Sequence, residues 1–337
     1  MKRVTIKDIA REAGVSPGAV SFALNDRPGV SESTRERIKQ VAVELGWTRS
    51  AAAAALSGKR VGSFGLTLQR GVGDDHAEAF IMRFMAGMQR ELDKNHLSIV
   101  LQVVPSIEAE ERTLRTWWAE RRVDGVVLLR PTIDDSRARV LTEIGMPGVT
   151  IGGPVAEKIS TVGVEEVGTT QLLVDHFAAR GHQRIAYVTG PPELQYVSWR
   201  AEAFKARARH HGMIPQVVHV VTGDELTGMD ASERLVRSGN APTALLYDNE
   251  LMTVGGVTAC TDAGLVVGSD VCIASYEDSP ALRMMRPGIS ALRRHTEQIG
   301  TLAARALVDL LEDGEPTSQI GPFPELVVRG SSGEILG

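Results

Sequence analysis

The side chains best able to act on another molecule lie in the first sixty residues, and their chemistry is ion pairing and hydrogen bonding. Eleven lysines and arginines stand there (residues 2, 3, 7, 11, 27, 35, 37, 39, 49, 59 and 60) against six carboxylates, a balance of +5. The whole chain of 337 residues carries −5, so the remainder holds −10. A basic segment on an acidic body suits a polyanion such as a nucleic-acid backbone, while the body discourages adhesion elsewhere. Hydroxyl side chains accompany the cations at places where helices should begin. Ser16 precedes Pro17, and Ser31 and Ser33 precede Thr34-Arg35-Glu36. Such caps leave backbone N–H groups at a helix N-terminus, where anions bind.

Three short helices must position these groups. Ile6, Ile9, Ala10 and Ala13 recur at helical spacing, and Gly14-Val15-Ser16 breaks the run. A second helix runs from Pro17, where the missing N–H costs nothing, to about Leu24. The third, capped by Ser31 or Ser33, carries Ile38, Val41, Ala42 and Leu45 on one stripe and stops at Gly46. Helix, tight glycine turn and helix form the helix-turn-helix pattern, whose second helix enters the major groove. Beyond it, Ser50-Ala51-Ala52-Ala53-Ala54-Ala55-Leu56-Ser57-Gly58 has strong helix formers between a cap and a stop. At about eight residues it is shorter than the ~12–15 that persist alone in water. It is therefore not expected to stay helical by itself.

From Val61 onward, apolar runs alternate with helical patterns. Strands are expected at 61–68, 97–104, 125–129, 148–151, 184–189, 217–221, 244–247 and 271–276, and helices between them at 78–94, 167–180, 200–211 and 296–311. This rhythm predicts parallel sheets wrapped by helices, with ligands beyond the carboxyl ends of the strands.

Bond-making chemistry finds no support. No GxGxxG or GxxxxGK[ST] follows a strand, no GxSxG elbow is present, and Gly152-Gly153-Pro154 reads as a turn. The eight histidines show no metal spacing despite the adjacent His210-His211, and Cys260 and Cys272 read as buried thiols in a reducing compartment. No enzyme, metal or cofactor is expected. There is no leader-like start and no run of ~18 apolar residues, so a cytoplasmic protein without membrane contact is expected.

Residues Val4–Leu24, the Asn25-Asp26-Arg27-Pro28-Gly29-Val30-Ser31 loop and the Thr34-Arg35-Glu36 helix start resemble the lactose-repressor/galactose-repressor (LacI/GalR) family of bacterial transcriptional regulators, with looser likeness to about Gly330. The resemblance implies an N-terminal all-α helix-turn-helix head plus an α/β periplasmic-binding-protein-like body of two doubly wound parallel-sheet subdomains. It divides the chain into a DNA-binding domain at 1–46, a hinge helix and linker at 47–60, and an effector-binding and dimerisation domain at 61–337. Within the last, one subdomain takes 61–160 and 290–321, the other 161–289 and 322–337.

The same likeness implies roles for individual residues. Pro17, Gly18, Ser21 and Phe22 face bases; Thr5, Ser16, Ala19, Ser21, Asn25, Ser31 and Thr34 meet phosphates; Leu56 wedges into a base step, and small Ala53 allows close approach to the groove. Phe22 stands where the family usually has arginine, which exchanges a guanine contact for an apolar one, best suited to a thymine methyl. In the body, Phe80 matches an aromatic that covers the ligand, Arg200 an arginine that grips its oxygens, and Glu165, Asn249 and Glu277 polar contacts. Trp199 with Tyr276 offers a stacking face, and Arg130 stands at a strand end. Glu165, Glu250 and Glu277 occupy positions where aspartate is usual, so individual sugar preferences do not transfer.

The expected protein is a repressor that binds a palindromic operator in double-stranded DNA as a homodimer and answers to a small effector, a sugar or glucoside first and a purine second. No heptad helix follows the last strand, which favours a dimer. A solute-binding protein without a DNA role is the competing class; it would lack the head.

Overall fold

The structure is a computed structural model that describes residues 4–47, 60–69 and 78–333. It forms two compact units, Met1–Val61 and Gly62–Gly337.

The first unit contains α1 (Ile6–Glu12), α2 (Pro17–Leu24) and α3 (Glu32–Glu44). Each starts where its capping chemistry requires. Thr5 donates its N–H and hydroxyl to Asp8 Oδ2 at 3.0 and 2.7 Å, Ser16 Oγ accepts from Ala19 N–H at 3.1 Å, and Ser31 rather than Ser33 accepts from Thr34 N–H at 3.3 Å. Ile9, Ala10, Ala13, Val20, Ala23, Ile38 and Ala42 form its core. Because Val20 and Ala23 turn inward, the other face of α2 stays in solvent.

The second unit holds two six-stranded sheets. The first has the order β11-β5-β4-β3-β1-β2, with β1 (Ser63–Gln69), β2 (Ser98–Val104), β3 (Gly125–Leu128), β4 (Gly148–Gly152), β5 (Ser160–Gly163) and β11 (Ser318–Ile320), all parallel. The second has the order β12-β10-β9-β8-β6-β7, with β6 (Arg184–Thr189), β7 (Ile214–His219), β8 (Ala244–Tyr247), β9 (Cys272–Ser275), β10 (Ser290–Arg293) and antiparallel β12 (Glu325–Val327). Helices α4 (Glu78–Leu92), α5 (Ile107–Ala119), α6 (Ser136–Ile144) and α12 (Thr296–Asp313) belong with the first sheet. Helices α7 (Glu166–Ala178), α8 (Gln195–His210), α9 (Glu225–Val236), α10 (Glu250–Asp262) and α11 (Pro280–Met284) belong with the second.

The expected subdomain edges shift at two places. Ser160–Gly163 pairs in the first sheet, and Ser290–Arg293, expected with the first subdomain, pairs in the second. The chain therefore crosses between lobes at 164–165, 294–295 and 321–324. Helix α12 returns across the first lobe and seats tightly on α4. A Cβ on Gly87 would stand 1.9 Å from Glu297 O, and one on Gly300 would stand 2.1 Å from Phe84 O, so both helices need glycine at the crossing.

The last described turn is pinned to the second lobe through hydroxyls. Ser332 Oγ lies 2.7 Å from His176 Nε2 and 2.6 Å from Ser290 Oγ, and Ser331 Oγ donates to Ile273 O at 2.7 Å. Burial, then the Arg180 charge, hold both His176 and His182 down at about 4. The two residues are 8% and 3% exposed. Unfolding frees them to bind protons below pH ~6.5, whereas the folded chain takes none until about pH 4. Stability should thus be complete above pH 6.5 and fall as pH drops toward 4, by roughly 3 kcal/mol per histidine. Urea midpoints across pH 7 to 4.5 check this; a His176→Gln, His182→Gln protein should show a flatter profile, and an equally steep one would assign the loss to carboxylates.

Candidate functional site

Two surfaces gather the residues singled out from the sequence. On the head, Pro17, Gly18 and Phe22 lie in solvent and Ala19 and Ser21 are half-buried, all on the outer side of α2. Phe22 is 41% exposed, so it is no part of the head's core. Helix α2 itself carries no charged residue. Thr5, Ser16 and Ser31 are the N-caps of the three helices, and Thr34 Oγ1 lies 2.8 Å from Ser31 Oγ. Asn25 is committed locally, its Nδ2 donating to Ser21 O at 2.9 Å. Helix N-termini with short hydroxyls make an anion-binding surface. Ala53 and Leu56 fall outside the described residues.

In the second unit, a cavity of about 570 Å³ opens where the carboxyl ends of both sheets meet. Phe80 on α4, Arg130 after β3, Arg200 on α8, Asn249 after β8 and Glu277 after β9 all line it. Glu165, Trp199 and Tyr276 are not among its lining residues. Glu165 caps α7, its Oε1 accepting from Gly168 N–H at 2.8 Å, and its neighbour Glu166 takes the place at the wall. Tyr276 is fully buried beneath Arg200, its ring centre 4.1 Å from the guanidinium. Trp199 packs against Gly153 in the other lobe, where a Cβ would meet the indole at 2.0 Å.

Near Trp199 the two lobes also join through their backbones. Ile133 N–H donates to Glu193 O and Gln195 N–H to Pro131 O, both at 2.9 Å, which pairs Thr132 antiparallel with Leu194. Gln195 Nε2 adds a bond to Pro154 O at 3.2 Å.

Two buried ionic clusters underlie the cavity. Arg200, 2% exposed, donates from Nε to Glu166 at 2.6 Å and from Nη1 to Asp248 at 2.9 Å, between the rings of Tyr196 and Tyr276. Burial works against the charge of this guanidinium; the two carboxylates more than offset that and hold its pKa well above the ordinary range. Asp248 also accepts from the hydroxyls of Tyr187 and Thr189. In the first lobe, Arg137 forks onto Asp135 at 2.9 and 2.6 Å and reaches Glu110 at 3.0 Å, which in turn accepts from Thr67 Oγ1 at 2.6 Å. Sequence reasoning missed Glu166 and Asp248, whose partners lie far away in the chain, and Arg137, which joins neighbouring Asp135 to distant Glu110.

This polar inventory shows which groups have capacity left. Asn249 is held in place, accepting from Met252 N–H at 2.8 Å and donating to Gly223 O at 3.0 Å. Among the described residues, the Glu277 carboxylate, the Arg83 guanidinium and the Tyr196 hydroxyl line the cavity without a hydrogen-bond partner. Burial pushes the Glu277 carboxyl up, against the pull of Arg294.

The family model for bacterial regulatory proteins of the lacI family matches residues 5–50, and the periplasmic binding protein-like domain matches residues 174–332. The chain thus carries a LacI-family helix-turn-helix domain together with a periplasmic-binding-protein-like domain. It is 29% identical to the HTH-type transcriptional regulator CelR of Thermobifida fusca, over 98% of each chain. It is 28% identical to the ribose operon repressor of Escherichia coli strain K12, over 97% of this chain and 99% of that one. A solved complex of the regulator CelR with cellobiose superposes with TM-score 0.73 at 26% identity, and the lac repressor dimer bound to operator and the anti-inducer ONPF with 0.83 at 23%; both span 98% of this chain and all of the other. Helices α1–α3 are the helix-turn-helix DNA-binding fold, and the second unit has the periplasmic-binding-protein-like fold. These relatives are regulators, not enzymes. No helix among the described residues is long and apolar enough to cross a membrane.

Proposed function

We propose that this protein is a cytoplasmic repressor that binds a palindromic operator as a homodimer and is controlled by a sugar or glucoside in the cavity between its lobes. The proposed division is a reading head at 1–46, a hinge at 47–60 containing Ala53 and Leu56, and a sensor at 61–337. The observation that carries the effector reading is the set of groups at the cavity wall that take no hydrogen-bond partner among the described residues. One carboxylate, one guanidinium and one phenol hydroxyl, with the Phe80 ring beside them, offer both acceptors and donors to a polyhydroxylated ligand. Thermal-shift measurements with cellobiose, other glucosides and purines test it. Stabilisation by a purine alone would replace the sugar reading.

On the DNA side, phosphate contacts by helix caps and apolar contact by Phe22 support an operator read without arginine–guanine pairs from α2. A Phe22→Arg protein should shift base preference, in selection from random duplexes, at one symmetric pair of operator positions. Unchanged preference would take Phe22 off the reading surface.

A further inference from the structure

The end of the reading helix is built in an unusual way. Arg27 N–H donates to Phe22 O at 2.9 Å and Asp26 N–H to Ala23 O at 3.3 Å, with Asp26 left-handed at φ +51°. This is the helix-closing turn at which glycine is the usual residue, since a Cβ is disfavoured there. The aspartate side chain gives the reason for its presence. Its Oδ1 accepts from Lys39 Nζ at 2.9 Å and lies 3.5 Å from Arg35 Nη1. Arg35, with only 12% of its side chain exposed, also donates to Arg27 O at 3.0 Å and Ala23 O at 3.4 Å. Those carbonyls belong to the last turn of α2 and the loop after it, where helical partners run out. The loop so held brings Gly29 against Phe22, where a Cβ would stand 3.0 Å from the ring.

We propose that Asp26, Arg35 and Lys39 form a clamp that sets the pose of Phe22, so that two of the head's cations position the reading helix and do not neutralise phosphate. The inference rests on Phe22 being a base-facing residue, as proposed above. Arg35 is a positioning residue: it acts through the loop at 25–29. Lysine cannot replace it, because a single ammonium does not fork across two carbonyls and a carboxylate.

Full-length wild type first selects a duplex from a random library. Wild type, Asp26→Gly and Arg35→Lys are then titrated with that duplex and with a random duplex of equal length, over a salt series. Asp26→Gly relieves the left-handed backbone, so its thermal midpoint should hold or rise while the ratio of selected to random affinity falls about tenfold. Arg35→Lys should lower the same ratio with the salt slope unchanged. A retained ratio in Asp26→Gly overturns the clamp. So does a salt slope reduced by about 0.9 per head, about 1.8 for the dimer, in an Arg35→Ala protein, which would make Arg35 a phosphate ligand. If wild type selects no duplex, the DNA reading itself fails. The clamp is then judged from Phe22 ring resonances and amide exchange at 23–29, which must change in Asp26→Gly for it to stand.

Discussion

An Arg200→Ala protein is expected to lose about 3–5 kcal/mol of stability, seen as a large fall in the urea midpoint of the sensor unit. The mutation removes the one cation that both Glu166 and Asp248 face at under 3 Å, and leaves two carboxylates buried in a low-dielectric site. It also strips the filling from between the Tyr196 and Tyr276 rings. Arg200→Lys should recover little, since an ammonium cannot reach both carboxylates in the guanidinium's plane. Adding Glu166→Gln to the alanine protein should restore part of the loss by deleting one stranded charge. A midpoint change no larger than that of exposed Arg209→Ala would show that the cluster contributes little. Arg200, expected from the sequence to grip ligand oxygens, has two of its nitrogens committed inside the fold.

The second large effect falls on effector binding. With Glu277→Gln, affinity for the effector identified by thermal shift should drop about 10–100-fold, while operator affinity without effector stays at the wild-type level. Glu277 is the lining carboxylate whose oxygens take no hydrogen bond from a described residue, so ligand hydroxyls would find acceptors there. An acceptor of this kind favours its ionised form in the complex. Affinity of the wild type should therefore weaken as pH falls through the raised Glu277 titration, above the usual carboxylate range, and the glutamine protein should lose that dependence. Calorimetry at two pH values measures both. Equal affinity in the two proteins would move the ligand elsewhere in the cavity.

How legible these features were depended on whether their cause is local. Ser16-Pro17, Ser31 and Gly46 act within a turn of themselves, and the head's helices begin and end where they direct. Central strands such as Ala244–Tyr247 are buried on both faces and read as apolar runs. Ser160–Gly163 and Ser290–Arg293 did not read as strands, because they are short, carry serine and glycine, and owe their burial to neighbouring strands. Helix α8 begins five residues before the expected Arg200, at Gln195, because Tyr196, Val197 and Trp199 are weak helix formers that tertiary packing overrides. At the site, Phe80, Arg130, Arg200, Asn249 and Glu277 reached the cavity wall, whereas Glu165 missed it by one position. A helix start turns successive side chains by about 100°, so one residue decides between capping and facing the ligand.

The bridge between Pro131–Ile133 and Glu193–Gln195 has an evolutionary corollary. Its donors and acceptors are peptide groups, so ordinary substitution at those positions leaves it in place; only proline at 133 or 195 would delete a donor. Any rotation that parts the lobes at this edge must break it, whichever residues happen to occupy the loops. Descendants of this chain are thus free to diversify what they recognise while inheriting the same resistance to opening, and could retune that resistance most readily through the Gly153–Trp199 contact beside it.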